Sequence, residues 1–209
     1  MNAMTAIIAF FINGGQKLLV AADRKIAIPE SQSYRADKFD KVGRHYFFYA
    51  GDVDFHKYVI TELRKEKMLT LQKIIQIIGT TSSRKYPCDW IVIDIADISK
   101  SILIQDGLNI QLKSDIEVIG SGRSTDRLVQ KVILEDFNPR GISCRQLKWG
   151  LVFIDKFLQI FHEYSYLDPA IGHPALFGLD IFIFDKSKKN RHKRIRIKYD
   201  VENKGSYRW

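Results

Sequence analysis

Residues 5–24 read TAIIAFFINGGQKLLVAADR. Two apolar runs flank Asn13-Gly14, a dipeptide whose residues tolerate the positive φ angles of a tight hairpin turn. The stretch predicts a β-hairpin with strands over 5–12 and 17–26. Thr5 opens the first strand, and Asp23-Arg24 stands near the end of the second. Threonine is common at strand starts because its branched side chain suits a pleated surface. Its address gives it a second reading. In a chain that began at Thr5, a hydroxyl and an α-amino group would share one residue. The amine titrates near neutral pH and can take the proton of an alcohol that is a weak nucleophile by itself. Met1-Asn2-Ala3-Met4 stand ahead of Thr5, so that chemistry requires their removal.

Outward from the hairpin, the order of elements is legible. Residues 27–37, with Pro29, read as a polar loop, and 38–42 and 45–50 as two short strands. Gly51-Asp52 opens a helix with Val53, Phe55, Tyr58, Val59 and Leu63 on its apolar side, at roughly helical spacing. A second helix carries Leu69, Leu71, Ile74, Ile75, Ile77 and Ile78, ending at 80–83. The second half repeats the grammar. A buried strand at 90–95 precedes short strands at 101–105, 110–113 and 116–119. Gly120-Ser121-Gly122 leads into a helix over 124–137. A long helix over 143–164 has Leu147, Leu151, Ile154, Leu158 and Phe161 as its stripe. Two strands follow, near 179–184 and 191–199. Strands in two groups, each followed by a helix pair, predict an α+β, four-layer helix–sheet–sheet–helix sandwich of two antiparallel sheets. No linker interrupts the chain, so 1–209 reads as one domain, with 1–4 as a leader or remnant.

Of the 209 residues, 45% are hydrophobic, enough for one full core without staples. The formal net charge of +9 permits acidic partners without requiring them. Much of it lies in 186–196, which reads either as a phosphate-contacting strip or, preferably, as an exposed hairpin whose cations protect an edge strand. Nucleic acid is therefore not the expected partner. The tail residues Tyr207, Arg208 and Trp209 read as docking on a neighbouring subunit or fraying. Cys88 and Cys144 have no metal-like spacing, and the five histidines are scattered. No metal site and no cofactor are expected. A reduced, cytoplasmic setting is the simplest reading, with no membrane segment and no signal peptide.

Taken in order, several pieces resemble the proteasome β-subunit and HslV-like family of N-terminal-nucleophile (Ntn) hydrolases. They are Thr5 at the first strand, AADRKI (21–26), DKFDKV (37–42), YAGDVDF (49–55), IGSGRS (119–124) and LFGLDIFIF (176–184). Together they span nearly the whole chain. The resemblance implies a threonine-type amidohydrolase, most simply a peptidase, with Thr5 as nucleophile. Lys38, with Lys41 as the alternate, would lower the pKa of the amine and hydroxyl. Asp23 would pair with Lys38 and orient it. Ser121 would hydrogen-bond the α-amine, the Gly51 N–H would meet the oxyanion, and Asp168 would be the late acidic residue of the site.

Two departures accompany the match. The hydroxyl residue that the family places soon after its late aspartate is absent from Pro169-Ala170-Ile171-Gly172-His173-Pro174. Met4 stands where a self-processing precursor has glycine, which points to removal by a methionine aminopeptidase acting on a start at Met4. The resemblance further implies a homo-oligomer, a ring or dimer, acting on peptide or protein substrates, and many members rely on an ATPase partner. Two rival readings share the fold. One is a non-catalytic assembly or interaction subunit; the other is a peptidyl transferase using the same nucleophile.

Overall fold

A computed structural model describes residues 2–3, 6–12, 15–26, 33–81, 88–105, 108–112, 117–120, 157–163, 165–166, 171–187, 192–198 and 206–208. The predicted hairpin is present as β2 (Ala6–Ile12) and β3 (Lys17–Asp23), and Gly15 takes the positive φ of 83° in the turn between them. One six-stranded sheet holds β2 and β3 in the order β11-β2-β3-β12-β13-β14, where β11 is Glu117–Gly120, β12 Leu179–Asp185, β13 His192–Lys198 and β14 Ser206–Arg208. The other six-stranded sheet runs β1-β7-β8-β9-β10, with β6 also on β7. Its strands are β1 (Asn2–Ala3), β6 (Phe39–Val42), β7 (His45–Asp52), β8 (Cys88–Asp94), β9 (Ile102–Gln105) and β10 (Leu108–Gln111). Among the described residues every strand pair is antiparallel. A small ribbon joins β4 (Lys25–Ile26), at the end of the strand read over 17–26, to β5 (Tyr34–Arg35), inside the stretch read as loop.

Period-two alternation sorts each strand's side chains into layers. Ile7, Ala9, Val20, Ala22, Phe48, Ile91, Phe182 and Phe184 meet between the sheets. Ile8, Phe10, Leu19, Ala21 and Ile181 face outward, onto Phe157, Ile160 and Phe161 of the helical segment 157–163, here α3. On the far side Phe47, Trp90, Val92 and Ile104 pack against α1 (Val53–Lys65) and α2 (Leu71–Thr81). Both faces of each sheet are covered, which is why the strands read as apolar runs rather than polar–apolar alternations. This is the expected helix–sheet–sheet–helix sandwich.

Three details correct the sequence reading. Tyr58 is exposed, and His56 takes the buried place two residues earlier, its ring stacked on Tyr49 at 3.3 Å between centroids. Residues 206–208 of the tail pair with β13 as a sixth strand, so β13 is not an edge. Its Arg194 and Arg196 are also committed inward, as shown below. The helix predicted over 124–137 and the first part of the one over 143–164 lie outside the described residues.

Candidate active site

The centre of the site is a carboxylate with no access to water. Asp23 ends β3 and is fully buried. Its Oδ1 receives the Lys38 ammonium at 3.0 Å and the Ala6 N–H at 3.3 Å, and its Oδ2 receives the Gly172 N–H at 2.7 Å. A buried carboxylate needs such donors, because the lost hydration of a charge must be replaced. Lys38 lies just before β6, where its carbonyl accepts the Tyr49 N–H at 3.2 Å. Its side chain is 1% exposed. Burial pulls the Lys38 pKa below the ordinary lysine value even though Asp23 pulls the other way, and Lys25 adds to the lowering. Lys41, the alternate, is exposed and holds its ammonium 5.6 Å from the Tyr46 ring centre.

Thr5, Ser121 and Asp168 lie outside the described residues. Ala6, next after Thr5, donates to Asp23 and is registered against Gly120, the residue before Ser121. Asp89 on β8 accepts the Gly120 N–H at 3.5 Å. Gly172 follows Asp168 by four positions in the sequence. No Cβ fits at Gly172: one built there would lie 2.7 Å from Lys25 Cβ and 3.0 Å from Asp23 Oδ2. The glycine thus lets the backbone reach the carboxylate. Sequence reading missed Ala6 and Gly172 because both act through backbone N–H groups, which leave no side-chain signature. A glycine amid prolines was the one available sign.

Gly51 lies on β7 with φ 137°, a conformation that favours glycine. Asp52 caps α1 by accepting the Phe55 N–H at 2.8 Å. Against this step sits β1: Asn2 pairs with Asp52, and Ala3 with Gly51.

A second buried carboxylate stands beside the first. Asp180 on β12 is registered against Ala22, the neighbour of Asp23. Three guanidinium groups surround it, with Arg194 at 2.9 Å, Arg196 at 3.0 Å and Arg24 at 3.3 Å. Asp37 bridges the same three at 3.1, 2.5 and 3.0 Å. The Arg194 guanidinium also lies 4.4 Å from the Phe39 ring centre. Arg194 and Arg196 of the basic segment therefore neutralise buried acid, which the charge count could not reveal.

Among the described residues no three His, Cys, Asp or Glu side chains gather as a metal site. Cys88 is buried and its thiol is pushed well up by desolvation, with Asp89 and Asp52 adding to the effect, so it is not a reactive thiolate. Cys144 lies outside the described residues. Among those described, no helix is long and apolar enough to cross a membrane.

No protein-family model and no curated protein matches the chain. Solved structures do. Eukaryotic HslV from Trypanosoma brucei is similar with a TM-score of 0.58 at 13% identity, over 87% of this chain and 99% of that one. The Gly-1 mutant of Anbu from Hyphomicrobium sp. strain MC1 reaches 0.65 at 13% identity, over 91% and 86%. Anbu, described as an ancestral beta-subunit, from Yersinia bercovieri reaches 0.65 at 12% identity, over 91% and 86%. At these identities the likeness establishes a proteasome-like Ntn fold.

Proposed function

We propose that this chain is a threonine-type N-terminal-nucleophile amidohydrolase, a peptidase whose nucleophile is Thr5 once residues 1–4 are removed. One observation carries the reading. The backbone just after Thr5, the fully buried Lys38 and the Gly172 amide meet on a single buried carboxylate, Asp23. A purely structural strand end has no need of a lysine in a dry site, where its charged form is disfavoured.

In this reading the Thr5 hydroxyl attacks a peptide carbonyl and its proton passes to the Thr5 α-amine, directly or through water. The carbonyl oxygen becomes an oxyanion facing the Gly51 N–H. The carbon–nitrogen bond then breaks, the departing amine takes the proton, and an ester to Thr5 remains. Water hydrolyses that ester and restores the free hydroxyl. The Lys38 charge favours the neutral amine that accepts the proton, Asp23 holds Lys38 in place, and Ser121 and Asp168 complete the polar surroundings of the amine. No cofactor enters. The whole chain, 1–209, acts as one domain in a homo-oligomer on peptide or protein substrates in the cytoplasm, with an ATPase as the partner that would feed it.

A second reading is a non-catalytic assembly subunit. The pairing of Asn2–Ala3 with Gly51–Asp52 favours it, since a retained leader would fill the oxyanion side of the site. Intact mass of the protein from its natural host separates the two. A chain starting at Thr5 supports the hydrolase, and one retaining Met4 sinks it. In the mature protein, Thr5→Ala should abolish both turnover of fluorogenic peptides and labelling by a threonine-directed electrophile. Amide rather than acid products in the presence of added amines would indicate a peptidyl transferase.

A further inference from the structure

The fold brings together two imidazoles that stand eleven residues apart in sequence. His162 lies on α3. His173 follows Gly172 on the short strap that leads into α4 (Pro174–Phe177). His162 Nδ1 and His173 Nε2 approach to 2.7 Å, with their ring planes 70° apart. Tyr166 sets its ring against both, with centroids 5.1 Å from His162 and 5.7 Å from His173. His162 is exposed and His173 half-buried, so the pair can be reached from solvent.

Two neutral imidazoles at this separation share one proton: one ring nitrogen donates and the lone pair of the other accepts. A divalent transition metal can take the place of that proton, because neutral imidazole nitrogen is a preferred ligand of zinc, copper and nickel. Metal–nitrogen bonds of about 2.0–2.1 Å at a tetrahedral angle hold two ligand nitrogens roughly 3.3 Å apart. Opening the pair from 2.7 Å to that distance needs only small side-chain rotations. Burial, together with the neighbouring His162, disfavours the charged form of His173 and so keeps it in the state a metal requires.

We propose that His162 Nδ1 and His173 Nε2 form a two-histidine chelate for a zinc-class divalent cation, with water filling its other positions. Two protein ligands hold an ion reversibly, as a clamp rather than as a structural centre. The clamp ties α3 to the strap whose Gly172 N–H holds Asp23. Any effect on turnover rests on the hydrolase reading, whereas the binding does not.

The test is calorimetric titration of the full chain, without a histidine tag, with Ni2+ and with Zn2+. Saturable binding of one ion per chain is expected. His162→Ala and His173→Ala should each weaken it by about tenfold or more. His192→Ala, which removes the ring bonded to Tyr46, should leave it unchanged. His162→Gln keeps polar bulk without the imidazole, so it should lose binding at an unchanged melting temperature. Absence of saturable binding, or binding that survives in both His162→Gln and His173→Ala, overturns the proposal. None of these readouts depends on peptidase activity.

Discussion

Asp23 and Asp180 lie on neighbouring strands at one end of one sheet, and both are buried. They differ in their cations. Asp23 is met by a lysine and two backbone amides, Asp180 by three arginines. A lysine in a dry site shifts its pKa readily, while a guanidinium stays charged throughout the accessible pH range. The first arrangement is suited to moving protons nearby, and the second only to holding strands together. The difference separates a site from a clasp where burial and charge alone do not.

Lys38→Arg is the sharpest way to break this comparison. It keeps the cation but puts a larger, planar guanidinium where a compact ammonium is buried against Asp23, which displaces the charge from the amine, so turnover of a fluorogenic peptide by mature protein should fall about 10³-fold, about 4 kcal/mol in the barrier. Activity within tenfold of wild type would make the Lys38–Asp23 pair another clasp. Asp180→Ala leaves three guanidiniums to share the half-exposed Asp37 and should cost about 3 kcal/mol in urea unfolding. Turnover per folded molecule should stay within about twofold, because the change touches no group that moves a proton. A large loss of kcat at full folding would show that the two carboxylates act as one unit.

Gly172→Ala sharpens the Asp23 side alone. The added Cβ cannot fit beside Lys25 and Asp23 Oδ2, so the strap must withdraw its N–H from the carboxylate. We expect kcat to fall about tenfold, the loss of one hydrogen bond to a charged group. The smallest effect concerns two buried histidines whose charged form is disfavoured even beside a carboxylate, His56 at 2.8 Å from Asp40 and His45 at 3.8 Å from Asp94. Burial, more than any neighbouring charge, lowers the pKa values of His45 and His56 from 6.5. The unfolded chain protonates these histidines below about pH 6.5 while the folded chain resists, so stability is full above that pH and falls as pH drops through it. Unfolding free energy should decrease by roughly 1 kcal/mol between pH 7 and pH 6, and His56→Phe should flatten the slope. An unchanged slope in that variant would assign the titration elsewhere.

Much of the site was legible because Asp23, Lys38 and Gly51 sit at the joints of strongly patterned strands and a helix. Gly172, Ala6 and the His162–His173 pair were not. Their contacts span long sequence separations or use backbone groups, and neither leaves a local pattern. Tyr58 misled because its position on α1 fits the helical spacing, yet the stripe rotates enough to bury His56 in its place.

Period-two and helical apolar patterns, with Asn13-Gly14 between the first strands, were enough by themselves to determine the layered sandwich, because burial on a pleated or helical surface follows spacing along the chain. Which charges meet was decided only in three dimensions. Lys38 and Lys41 look alike in sequence, and so do the arginines of the basic segment. Folding buries Lys38 against Asp23, leaves Lys41 in water, and turns Arg194 and Arg196 onto Asp180. Electrostatic character depends on local hydration and on partners distant in sequence, and tertiary packing alone supplies both.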